Sequence, residues 1–197
     1  MNANSPTVGP SRRKRLYWGL AGVGFYGAHA AFYLNQGLPE DLLWSCHLAC
    51  LFTGLAWLFP SAMLNAVALL WLVVGAPLWV KEILDGGWWI WTSPLTHLGG
   101  LVVAIAGLFD FGFPRGAWWR ALIGLVLLNV LCRWITPVAS NVNLAFAVWH
   151  HPESTRAEHL TYLAELAGAC AVLFYFAERL LRRQFPTGQP PLHAISS

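Results

Sequence analysis

The sequence predicts an all-α, polytopic membrane protein: a bundle of six transmembrane helices with both termini on the cytoplasmic side. Three observations carry that reading. The 197 residues are 57% hydrophobic and only 11% charged, with a mean hydropathy of +0.52, more apolar than the core of a soluble domain of this length requires. Apolar runs of about 17 to 25 residues, which cross a bilayer core at about 1.5 Å per residue, recur six times. Lysine and arginine collect beside alternate ends of those runs, the pattern that fixes orientation in a membrane.

The runs fall at 16–34, 42–59, 62–82, 88–110, 118–138 and 159–181. Before the first lies Ser11-Arg12-Arg13-Lys14-Arg15; Arg115 and Arg120 lie between the fourth and fifth, and Arg179, Arg182 and Arg183 close the sixth. With six spans all three clusters face one side, which is then cytoplasmic. The division expected is a basic N-terminal segment 1–15, a transmembrane domain 16–183 and a Pro-rich, aperiodic, disordered cytoplasmic tail 184–197. The first run is long and has no small-residue cleavage pattern, so it reads as a retained anchor. The stretch Asn141 to Trp149 is too short for a seventh crossing and is expected at the interface or re-entering the bundle. Trp88, Trp89, Trp91, Trp118 and Trp119 read as interfacial anchors, and Gly22, Gly24, Gly27 and Ala28 as a close-packing face of the first helix. The net charge of +3 is a topology signal, and no nucleic-acid partner is expected.

Function is sought at the polar groups placed at membrane depth, because they are costly there and face a bundle interior or cavity. Alternating helix direction puts His29, Cys46, His47, His97, Asn129, Arg133 and Glu165 in one half of the bilayer, whereas the opposite halves of the same helices are almost purely apolar. The expectation is a cavity opening toward the outer leaflet. Cys46 is the candidate nucleophile and His97 the candidate base, since an imidazole can take the proton of a thiol and the thiolate can attack an ester. His97 follows Ser93-Pro94-Leu95-Thr96, where proline frees backbone groups, and precedes Gly99-Gly100, which admit a close neighbour. Arg133 is read three ways: an oxyanion donor, an ion-pair partner of Glu165, or a side chain snorkelling outward. Cys50, Cys132 and Cys170 read as small packing residues, and no disulfide or metal ligand set is assigned.

The same residues resemble the bacterial YwaF-like integral membrane family. These are relatives of animal transmembrane acyltransferases that use an intramembrane Cys and His on phospholipids and, more distantly, of androgen-induced Thr/His lipid hydrolases. The matching pieces are Cys46-His47-Leu48-Ala49, Thr96-His97-Leu98-Gly99, Asn129, Asn141-Val142-Asn143 followed by Pro152, and Glu165, across roughly 38–178. Where the family has a histidine before its cysteine this chain has Trp44-Ser45, and the family's Asn-Tyr appears as Asn143-Leu144. The resemblance implies a lipid acyltransferase or hydrolase of a bacterial inner membrane, with Cys46 as nucleophile, His97 as base, and Asn129, Asn143 and Glu165 in support; His29, His47 and Arg133 are supporting candidates by their depth. It implies no cofactor. A membrane lipid is the expected substrate, and a homo-oligomer or larger membrane complex is left open. The competing class is redox, a b-type haem or quinone held by pairs among His29, His47, His97 and His159; a transporter or a non-catalytic accessory subunit is the third.

Overall fold

A computed structural model describes residues 9–87 and 89–187. Among the described residues the chain is all-helical, with six α-helices: α1 Arg12–Gln36, α2 Ser45–Leu58, α3 Ala62–Leu84, α4 Gly100–Phe111, α5 Ala117–Ile135 and α6 Arg156–Gln184. By length and composition α3, α5 and α6 suffice to cross a membrane. The second run, expected over 42–59, is helical only over Ser45–Leu58, because Pro39–Leu43 winds into a separate 3₁₀ turn. The fourth, expected from 88, is helical over Leu95–Phe111. Fourteen residues rise about 21 Å, short of a hydrocarbon core of about 30 Å. Trp88 and residues 188–197 lie outside the described residues.

The helix ends sort the charges. α1 begins at Arg12 and so absorbs the basic run, with Ser11 capping Lys14 N–H. Lys14 pairs with Asp110 at 2.6 Å, tying the start of α1 to the end of α4. Arg115 and Arg120 share a surface pocket with Arg179 and Arg182. The three basic clusters therefore occupy one end of the bundle. At this end the expected tail is in part built into the fold: Gln184 ends α6, and Phe185 C=O accepts Phe113 N–H at 2.7 Å.

A carboxylate that sequence reading overlooked anchors this end. Glu178 is buried in α6, and its two oxygens accept Gly116 N–H at 2.9 Å and Trp118 N–H at 3.0 Å, capping α5 from another helix. Those N–H groups have no partner within α5, and the positive end of a helix favours a carboxylate. Glu178→Ala strands both donors and is expected to cost about 2–3 kcal/mol, with Glu178→Gln losing roughly half as much. Thermal unfolding in detergent reads the order; equal midpoints for wild type and Glu178→Ala would remove the capping role.

Packing is closest between α1 and α2. A Cβ at Gly22 would lie 2.7 Å from Gly54 Cα, and one at Gly19 would strike Leu58, whereas Gly24 and Gly27 meet nothing within 4 Å. Of the expected face Gly22, Gly24, Gly27 and Ala28, Gly22 meets α2 and is joined there by Gly19, whereas Gly24 and Gly27 do not. Buried polar side chains fasten helices to one another's backbone: Trp57 Nε1 donates to Val103 O, Asn65 Nδ2 to Ala104 O and Trp71 Nε1 to Ala121 O, at 2.9 to 3.1 Å. Interhelical bonds of this type contribute about 0.6–2 kcal/mol each in a membrane.

Candidate active site

At the end opposite the basic clusters the bundle opens into a cavity of about 630 Å³, lined mostly by apolar side chains and by Asp41, Cys46, His47, His97, Asn129 and Asn143. Each polar group is delivered by a local feature. Trp44 precedes α2 and offers no side-chain cap; the cap comes instead from Asn143, whose Oδ1 accepts Ser45 N–H at 2.8 Å while its Nδ2 donates to Leu43 O at 2.6 Å. Cys46 and His47 are therefore in the first turn of α2. Their N–H groups have no preceding turn to accept them.

His97 sits in a π-turn, Leu95–Gly99, directly after Pro94. The wider register is common at functional sites. Here it lets the His97 ring turn back on its own backbone, where Nδ1–H donates to Ser93 O at 2.9 Å. Trp79 stacks on the ring at 4.7 Å and 10°, fixing its plane. A carbonyl can only accept, so the neutral ring carries its proton on Nδ1 and leaves the Nε2 lone pair free. The Cys46 Sγ and one ligand atom each of His47 and His97 lie within 4.8 Å of one another. Gly75 provides the room, since a Cβ there would stand 2.6 Å from Cys46 Cβ.

Behind His47 the proton positions are also determined. His47 Nδ1–H donates to Asp41 O at 2.8 Å, so its Nε2 is an acceptor, and it takes His29 Nε2–H at 3.1 Å. His29 Nδ1 then accepts the Thr92 hydroxyl at 2.7 Å. The chain Thr92, His29, His47, Asp41 thus runs in one direction through fully buried imidazoles.

Of the residues singled out in the sequence, the fold brings together His29, Cys46, His47 and His97. Asn129 and Asn143 support them, Asn129 Nδ2 donating to Asn143 O at 2.8 Å. Two others are elsewhere. Arg133 is exposed, donates to Ala145 O at 2.7 Å and faces the Phe146 ring at 5.7 Å, so it braces the loop after α5 and does not line the cavity. Glu165 is exposed on α6, and among the described residues Arg133 makes no ion pair with it. His159 is separate from the cluster, its Nε2 donating to Leu144 O at 2.9 Å. His29 and His47 hydrogen-bond directly, with ring centroids 4.3 Å apart, which leaves no gap for a haem between them.

The chain matches no family model, no curated protein and no solved structure.

Asp41, Thr92, Ser93 and Trp79 were not singled out as site residues. The hydroxyl pair before Pro94 was a signal that could have found two of them; Asp41 acts through its backbone carbonyl, which no residue type reveals. Its carboxyl lies outside the helical spans and is held above the usual carboxylate range, chiefly by burial, against a bond from the Trp44 indole, with the Glu40 charge raising it further. A raised carboxyl stabilises the fold while protonated, and that contribution is lost as pH rises through its folded value. As pH rises above the ordinary carboxylate range, the thermal midpoint of Asp41→Asn is expected to fall less than that of the wild type; parallel slopes would assign the pH dependence to another group.

Proposed function

We propose that this protein is a six-span enzyme of a bacterial inner membrane, its basic end cytoplasmic, that cleaves or transfers the acyl ester of a membrane lipid. One observation carries the reading: a cysteine thiol and a histidine with a free ring nitrogen lie within 4.8 Å at the wall of a large, mostly apolar cavity. His97 Nε2 takes the proton of Cys46 as Sγ bonds to the ester carbonyl carbon. The oxyanion is met by the N–H groups of Cys46 and His47. Collapse breaks the C–O bond, His97 returns the proton to the departing alkoxide, and a thioester remains on Cys46. Water or a second hydroxyl, deprotonated by His97, then attacks that thioester, giving hydrolysis or transfer. The YwaF-like pieces around Cys46 and His97 agree with this assignment.

A lipid-tailed iodoacetamide tests it. Alkylation is expected at Cys46 with slowing in His97→Ala; equal labelling of all four cysteines would sink the mechanism. A second reading concerns assembly. Glu165 is exposed some nine residues into α6, a costly position against lipid, which favours a second copy or a partner covering that face.

A further inference from the structure

We infer that Cys46, His47 and His97 form a binding site for one zinc ion, and that the ion and the acyl chemistry compete for the same sulfur. The competition rests on the proposed role of Cys46; the binding site does not. Three features of the cluster are those of a ligand set. First, the donors are one sulfur and two imidazole nitrogens, a borderline-soft combination that suits zinc. Second, both histidines are oriented by a backbone carbonyl on Nδ1, His47 by Asp41 O and His97 by Ser93 O, which leaves Nε2 as the ring's lone-pair atom, free in His97 and in His47 engaged by His29 Nε2–H at 3.1 Å. Metal-bound histidines are held in this way, and the hydrogen bond fixes both tautomer and ring direction. Third, the Cys46 Sγ and one ring nitrogen of each histidine already lie within 4.8 Å of one another, and bonds of about 2.1 Å to nitrogen and 2.3 Å to sulfur require the donors to close by about 1 Å. Cys46 is half-buried and lines the cavity, so an ion has a route in and a fourth position that faces open space.

The proton balance of binding can be followed. Cys46 releases its thiol proton to solvent as the thiolate coordinates. His47 Nε2 gives up the bond it accepts from His29 Nε2–H, and His29 keeps its proton by shifting it to Nδ1, where Thr92 Oγ1 accepts at the same 2.7 Å contact. Metal binding at His47 therefore replaces the His29–His47 hydrogen bond, while His29 keeps its contact with Thr92 Oγ1. A sulfur bound to zinc is no longer free to attack an ester, so the loaded form is the silent one.

The test uses the full chain in detergent, purified on a tag without histidines. After dialysis against buffered zinc, wild type is expected to hold one ion per chain. Cobalt in its place should give a thiolate-to-metal charge-transfer band. Cys46→Ser should lose the band, and His97→Ala should bind at least about tenfold more weakly, whereas Cys132→Ser and Cys170→Ser should bind as wild type. Zinc should protect Cys46 from the lipid-tailed iodoacetamide, and a chelator should restore labelling. Absence of the band in folded wild type, or equal zinc in Cys46→Ser and wild type, overturns the site. The two proposals fail separately: labelling of Cys46 in protein that binds no metal leaves the acyl reading standing, and a metal-binding protein whose chelated form resists labelling at Cys46 overturns that reading alone. A rise in thermal midpoint with zinc in wild type, absent in Cys46→Ser, reports binding even if a histidine variant fails to fold.

Discussion

His97→Ala is expected to slow both alkylation of Cys46 and release of p-nitrophenolate from a long-chain p-nitrophenyl ester by about 10²–10⁴-fold. Cys46→Ala should abolish the reaction, and the double variant should be no slower than Cys46→Ala alone, because a nucleophile and its base act as one unit and their losses do not add. The expectation follows from geometry. His97 has its proton fixed on Nδ1 by Ser93 O and its ring held against Trp79, so its free nitrogen is already placed. If His47 were the base, His97→Ala would leave the rate near wild type and His47→Ala would remove it. His47 Nε2 already accepts from His29, which makes it the poorer candidate. Additive losses in the double variant would mean that the two residues do not share a step.

The second large effect is expected at a residue that touches no reacting atom. Asn143 is in left-handed backbone at φ 53°, a conformation that asparagine tolerates better than alanine does. From there its side chain reaches 98 residues back to cap Ser45 N–H and also donates to Leu43 O and Cys132 Sγ. Asn143→Ala strands a donor and an acceptor at the start of α2 and adds backbone strain, a loss of about 2–4 kcal/mol. Because Cys46 and His47 occupy that first turn, the rate of Cys46 alkylation should fall together with the thermal midpoint. Asn143→Asp keeps the acceptor for Ser45 N–H and loses both donated bonds, so it should lie between. A variant that lowers stability and leaves Cys46 reactivity unchanged would show that α2 holds its start without this cap.

Much of the molecule was legible in one dimension. Composition gave the all-helical class, and three of the apolar runs are helices long and apolar enough to cross a membrane. Counting along alternating helices also placed His29, Cys46, His47 and His97 at one depth, and these four are in mutual contact or one side chain apart. Depth follows from residue number, since each residue advances the helix by a fixed rise.

The direction in which a residue faces does not follow from residue number, and this is where tertiary structure decided. A helix that meets lipid on one side and other helices on the rest is apolar all round, so its sequence carries no stripe to mark the inward face. Glu165 and Glu178 are both glutamates of α6, yet one is exposed and the other caps α5; Gly24 and Gly22 belong to one glycine-rich stretch, yet only Gly22 meets α2. Arg133 lies near the depth of Asn129 but is turned away from the cavity. The carbonyls that orient the histidines, Asp41 O and Ser93 O, have no signature in residue type, because every residue carries one. The sequence by itself thus determined the helical class of the protein and the shared level of His29, Cys46, His47 and His97 along the bundle, which depend on hydrophobicity and helical rise. The rotation of each helix, and with it the pairing of Cys46 with His97 and the cap from Asn143, was decided only by packing between helices.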